Sequence, residues 1–134
     1  MITPKVETTT DTIRTVITTF SEMGLPAHLL GYEYLKTAVC KVLEEPNLVR
    51  NITKELYPVV AKEHSTTTSR AERAMRHAIE ETFMRGDPET LAKTFGMCVS
   101  YNSGKMSNSE FIAAMAERIR LKIGAYDCRA EEAG

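Results

Sequence analysis

The chain has 134 residues, 43 % hydrophobic and 26 % charged, with a formal net charge of −1. That length and balance fit one soluble globular domain with a real core, and argue against disorder and disulfide dependence. The near-neutral charge speaks against a non-specific nucleic-acid binder, which is normally strongly basic, but not against a specific one. No run approaches the ~18 consecutive apolar residues of a membrane span, and "MITPKVETTTDTIR" lacks the apolar centre of a signal peptide, so a cytosolic location is expected.

Cys40, Cys98 and Cys128 are far apart and form no C-x-x-C pair. With no histidine at ligand spacing, they are expected to be idle or buried thiols, with no metal and no cofactor. His28 and His64 each stand alone and are expected to be structural.

In chain order the patterning is helical nearly throughout. Ile13, Val16, Ile17 and Phe20 fall on one helical face, with Asp11 as a candidate N-cap and Gly24 as the stop. After the "GLPAH" turn, Tyr32, Leu35, Val39 and Val42 repeat the spacing until Pro46 ends the helix. Ile52 and Leu56 suit a short helix. Pro58 lacks an amide proton and belongs in the first turn of a new one, "PVVAKEH".

The hydroxyl cluster "STTTS" can cap the next helix, predicted from about Ser69 to Arg85 with a stop at Gly86. "GDPETLAKTFG" reads as a small complete helix, with Asp87 as N-cap, Pro88 first and Gly96 as the stop. "MCVSYNSGKM" is expected to be loop or short extended chain. In "SNSEFIAAMAERIRL", Ser107 and Glu110 stand at capping-box spacing, and Phe111, Met115 and Ile119 share a face. No stretch alternates convincingly as a strand does. The expected class is all-α.

The 65–85 segment carries four arginines against three glutamates, so its own charge decides little. At about 100° per residue, Ala71, Ala74, Met75, Ala78, Ile79, Thr82 and Phe83 form one apolar arc. Ser69, Arg73 and Glu80 lie roughly opposite, flanked by Arg70, Arg76 and His77. A solvated face with Glu–Arg pairs is the plain reading. The alternative is a helix-turn-helix: "PVVAKEH" as first helix, a turn near Ser65, and the Arg-rich helix as second, with Ala61, Ala71 and Ala74 at the places needing small or apolar residues.

On that alternative the chemistry is direct. Arginine presents paired donors to guanine O6 and N7, and a carboxylate such as Glu72 accepts from the cytosine amino group. The hydroxyls of Thr67, Thr68 and Ser69, with the first amides of the helix, suit phosphate.

"GLPAHLLGYEYLKTAV", "ITKELYPVVAKEH", "TTTSRAERAMRHAIE", "FMRGD", "TLAKTFG" and "NSEFIAAMAERIRL", in this order, resemble the C-terminal DNA-binding domain of the stage-zero sporulation response regulators, transcription factors of spore-forming bacteria. The likeness runs from about Ile13 to Leu121. It implies a six-helix domain containing a helix-turn-helix, whose recognition helix enters the major groove of a short TGTCGAA-like box in double-stranded DNA, commonly as tandem copies. It implies base reading by Arg70, Glu72 and Arg73. Thr67, Thr68, Ser69, Arg76, His77, Lys105, Asn108 and Ser109 become phosphate-side or supporting candidates. It also implies contact with the RNA polymerase sigma factor through the small helix holding Thr90 and Phe95, although Phe95 suits plain core equally.

Two positions depart from the family's habit. His64 stands where an aromatic or apolar residue is usual, and "NSGKMSNSEF" has few lysines. The family's phosphoreceiver domain is not represented in this sequence. The expected division is a linker at 1–10, the helix-turn-helix domain at 11–123 and a tail at 124–134. A divergent helical module that binds protein is the alternative function. An enzyme is disfavoured, because no nucleophile motif, paired-carboxylate site or phosphate-binding glycine loop is present.

Overall fold

A computed structural model describes residues 2–95 and 106–126. Among them are six α-helices and no strand. In chain order they are α1 (Thr10–Met23), α2 (Leu30–Glu44), α3 (Tyr57–Glu63), α4 (Thr68–Arg85), α5 (Pro88–Phe95) and α6 (Asn108–Lys122). A 3₁₀ turn, Pro46–Arg50, and a π turn, Ile52–Leu56, join α2 to α3.

The first helix starts earlier than the sequence suggests. Thr9, not Asp11, is its N-cap, and its hydroxyl accepts from the Thr12 amide at 3.1 Å. Asp11 falls in the first turn instead, where it pairs with Arg14. The buried arc is also rotated: Thr12, Val16, Thr19, Phe20 and Met23 face inward, whereas Ile13 and Ile17 remain 36 % and 40 % exposed. Thr12 and Thr19 can be buried because their hydroxyls donate to the carbonyls of Glu7 and Thr15, at 2.8 and 2.7 Å. Gly24 ends the helix as expected, at φ +82, with Leu25 N–H donating to Phe20 C=O across the turn.

Helix α2 is the central element and touches α1, α3, α4 and α6. Tyr32, Leu35, Val39 and Val42 are all buried, as their spacing predicts. Phe20 meets Tyr32 edge-on at 5.5 Å and lies 6.5 Å from Phe111 of α6. Such aromatic pairs add to the area that they bury.

Near its start α2 crosses α4 at very close range. A Cβ on Gly31 would lie 2.1 Å from the Ala74 carbonyl oxygen and 2.9 Å from Ala78 Cβ. The small residues of α4 therefore admit α2, and the crossing is set by a glycine facing alanines.

Ile52 and Leu56 are buried as expected, but in a π turn rather than an α-helix. Tyr57 N–H closes that turn on Ile52 C=O. Pro58, which has no amide proton to offer, follows in the first turn of α3. The widened turn accommodates the proline at this helix entrance.

Asp87 caps α5 by accepting from the Thr90 amide at 2.9 Å, and Thr90 holds the carboxyl below the usual carboxylate range by hydrogen bonding. The capping box of α6 forms with Ser107 and Glu110. Phe111, Met115 and Ile119 lie fully inside. Gly86 ends α4 in an extended conformation, φ −72; its smallness serves close approach, since a Cβ there would lie 2.6 Å from Thr82 C=O. The expected stop at Gly96, the loop after it, Cys98 and Cys128 lie outside the described residues.

Gly31→Ala is expected to lower the unfolding free energy by about 3 kcal/mol or more, the cost of overpacking against rigid backbone, with the loss read as a lowered urea midpoint. A midpoint equal to the parent's would show that α2 and α4 can separate at no cost.

Candidate nucleic-acid interface

The α3–α4 connection is a short turn closed by hydrogen bonds. Ser65 adopts φ +53, the left-handed conformation usually left to glycine. Thr66 N–H donates to Ala61 C=O at 2.9 Å, and Ser65 N–H to Lys62 C=O at 3.3 Å. This pair of bonds closes the end of α3 as a Schellman motif. Thr67 then caps α4, its hydroxyl accepting from the Arg70 amide at 3.1 Å. Ala61 is buried. A short helix, a tight turn and a longer helix thus follow one another as a helix-turn-helix requires.

His64 lies at the end of α3. Its ring packs 4.8 Å from that of Tyr34, and Nε2 is 2.7 Å from the Thr37 hydroxyl. The histidine therefore fills an aromatic place in the packing while its nitrogen is satisfied by α2.

Helix α4 buries Ala71, Met75, Ala78, Ile79 and Thr82. Thr67, Thr68, Ser69, Arg70, Arg73, Arg76 and His77 are exposed. The ion pairs of α4 join Glu72 to Arg76 and Glu81 to Arg85. Among the described residues, no carboxylate lies within ion-pair distance of Arg70 or Arg73. These two guanidinium groups are thus available, three residues apart, in the N-terminal half of the helix.

Glu72 is situated differently from its neighbours. Its side chain is half-buried and its carboxylate is held by Arg76 one turn on. Its backbone carbonyl accepts from Asn108 Nδ2 at 3.1 Å. Asn108 is only 5 % exposed and also donates to Tyr57 Oη at 3.0 Å. Ser109, the next residue, is exposed at the start of α6, and Lys105 lies outside the described residues.

Periodicity gave no sign of Tyr57, because its partner Asn108 is 51 residues away. Burial pushes the Tyr57 phenol up, so that it stays neutral against the helix.

The α5 candidates do not behave alike. Thr90 is half-buried and hydrogen-bonded to Asp87. Phe95 is 7 % exposed and packs 5.6 Å from Phe83 and 5.5 Å from Phe111. Phe95 thus lies in the core, as its alternative reading has it, and its ring joins α5 to α4 and α6.

Residues 16–119 match the family model described as Sporulation initiation factor Spo0A C terminal. The chain belongs to this family. It is the DNA-binding domain of a sporulation transcription regulator, a family of regulators and not of enzymes. The match spans α3, the turn and α4, so the exposed arginines occupy the helix-turn-helix of a DNA-binding domain. Among the described residues no helix is long and apolar enough to cross a membrane, and no group of three His, Cys, Asp or Glu side chains is placed to hold a metal ion.

Ser65→Gly is expected to stabilise the domain by about 0.5 kcal/mol. Relief of the left-handed strain, about 1–2 kcal/mol, exceeds the extra chain entropy of glycine, about 0.5–1 kcal/mol. Phe95→Ala should instead cost about 3–5 kcal/mol. Chemical unfolding measures both; a Phe95→Ala protein as stable as the parent would return that ring to the surface.

Proposed function

We propose that α4 reads a short TGTCGAA-like box in the major groove of double-stranded DNA, with Arg70 and Arg73 each donating to guanine O6 and N7. Exposure of both guanidinium groups without a carboxylate partner, on the N-terminal half of the second helix, is the observation that carries this reading. Glu72 accepts from a cytosine amino group, and Arg76 exchanges its bond to Glu72 for a phosphate as DNA arrives.

Thr67, Thr68, Ser69, His77, Ser109 and Lys105 serve the backbone side of the interface, where hydroxyls and cations fix register without reading sequence. Residues 11–123 form the reading unit, flanked by the linker and the tail, and two copies occupy adjacent boxes. Helix α5 faces the polymerase sigma factor, with Thr90 on the contacting side and Phe95 supporting it from the core. Work on DNA goes with a cytoplasmic location for the domain.

A net charge of −1 supports a second reading, a helical module that mainly binds protein and holds DNA weakly. The two differ in salt dependence and sequence preference, because each neutralised phosphate releases counterions.

Selection from a random duplex pool, followed by anisotropy titration, tests the first reading. Arg73→Ala is expected to lose about 1–3 kcal/mol on the selected duplex and to relax preference at one base position. Selection that enriches no sequence would favour the protein-binding module. Unchanged binding by the variant would remove Arg73 from the base readers.

A further inference from the structure

Apolar packing alone is a poor way to hold a reading helix at fixed depth. Ala71, Ala78 and the side chain of Met75 make a smooth, non-directional contact. Such a contact resists separation more than it resists a small slide or roll. Recognition of guanine by a paired donor demands geometry good to a fraction of an ångström. Something directional has to hold the N-terminal half of α4.

We propose that Asn108 and Tyr57 are positioning residues for base reading: a buried hydrogen-bonded tie that fixes the first two turns of α4 against α3 and α6. The inference rests on the reading of α4 as the recognition helix and goes beyond it by naming what holds that helix in place. The carboxamide nitrogen of Asn108 has two protons and uses both, one on Tyr57 Oη at 3.0 Å and one on the Glu72 carbonyl at 3.1 Å. The two residues are 5 % and 8 % exposed.

Each end of the tie starts from a stiff place. Asn108 is the first residue of α6, directly after its N-cap and inside the Ser107–Glu110 capping box. Tyr57 is the first residue of α3, closed on Ile52 behind it and followed by Pro58. The point of attachment on α4 is equally particular. Glu72 lies between Arg70 and Arg73 in sequence, and its carboxylate holds Arg76. One carbonyl thus couples the core to the reading face.

The tie is not built for stability alone. Asn108 Oδ1 is buried without a hydrogen-bond partner among the described residues. A buried unsatisfied acceptor costs free energy that an apolar side chain at this position would avoid. What the asparagine adds is direction.

The test uses the chain with two variants, Asn108→Ala and Tyr57→Phe. Anisotropy titration compares the pool-selected duplex with a scrambled one at the same salt concentration. Amide hydrogen exchange, read without DNA, compares residues 68–76 with residues 78–85. Loss of two buried hydrogen bonds in Asn108→Ala is expected to cut the preference for the selected duplex about tenfold, and loss of one in Tyr57→Phe about threefold. Exchange should quicken over residues 68–76 and stay unchanged over residues 78–85.

Preference within twofold of the parent's, in variants that keep their helical circular dichroism, would overturn the proposal. So would an equal loss on both duplexes with uniformly faster exchange, the signature of general destabilisation. Should the parent prefer no duplex at all, the reading of α4 as the recognition helix falls, and exchange decides the tie by itself: selective quickening sustains it, and uniform exchange removes it. Tyr57→Phe keeps the ring in place, so the comparison survives if Asn108→Ala fails to fold.

Discussion

Helices α2 and α4 approach so closely at Gly31 that no side chain fits between them; the Ala74 carbonyl oxygen occupies the space a Cβ would need. Much else follows from that crossing. Helix α2 also touches α1, α3 and α6, so its contact with α4 sets the second helix of the helix-turn-helix relative to the whole core. Ala74 and Ala78 are small for this crossing, and with their side turned to α2 the opposite side of α4 is left to solvent. The arginine face is in that sense the complement of a packing contact. Close-packed interiors transmit such constraints because they have little free volume to absorb them.

The turn between α3 and α4 works by the same economy of space. Its left-handed residue is a serine, and two hydrogen bonds across the end of α3 hold it there. His64, just before it, is anchored to α2 through Tyr34 and Thr37. The turn is thereby fastened at its own backbone and at a side chain. Helix α4 begins from a defined point, with Thr67 already occupying one free amide of its first turn.

Charge shows why bulk composition was a weak guide to function. Acidic and basic residues nearly cancel over the chain and within the 65–85 segment. The cancellation is uneven in space. Glutamates of α4 engage Arg76 and Arg85, while Arg70 and Arg73 face outward without a carboxylate beside them. A surface cation is worth most to an incoming anion when its own protein has not already neutralised it. Glu72 illustrates the point from the other side, since it is held by Arg76 through its carboxylate and by Asn108 through its carbonyl.

The sequence by itself determined the features that rest on neighbours within a turn of helix. These are the all-helical class, the face of α2, the capping box of α6, the stops at Gly24 and Gly86, and the alanine side of α4 opposite its arginines. Their cause is local, because capping and 3.6-residue periodicity relate positions three and four apart. The likeness carried by whole segments reached further and pointed to the family. Only the tertiary structure decided which arc of α1 turns inward, since two buried threonines with satisfied hydroxyls replaced Ile13 and Ile17 there. It alone placed Phe95 between Phe83 and Phe111, and joined Asn108 to Tyr57 and Glu72 across 51 and 36 residues. Those contacts depend on how separate helices meet, and no periodicity within one helix carries that information.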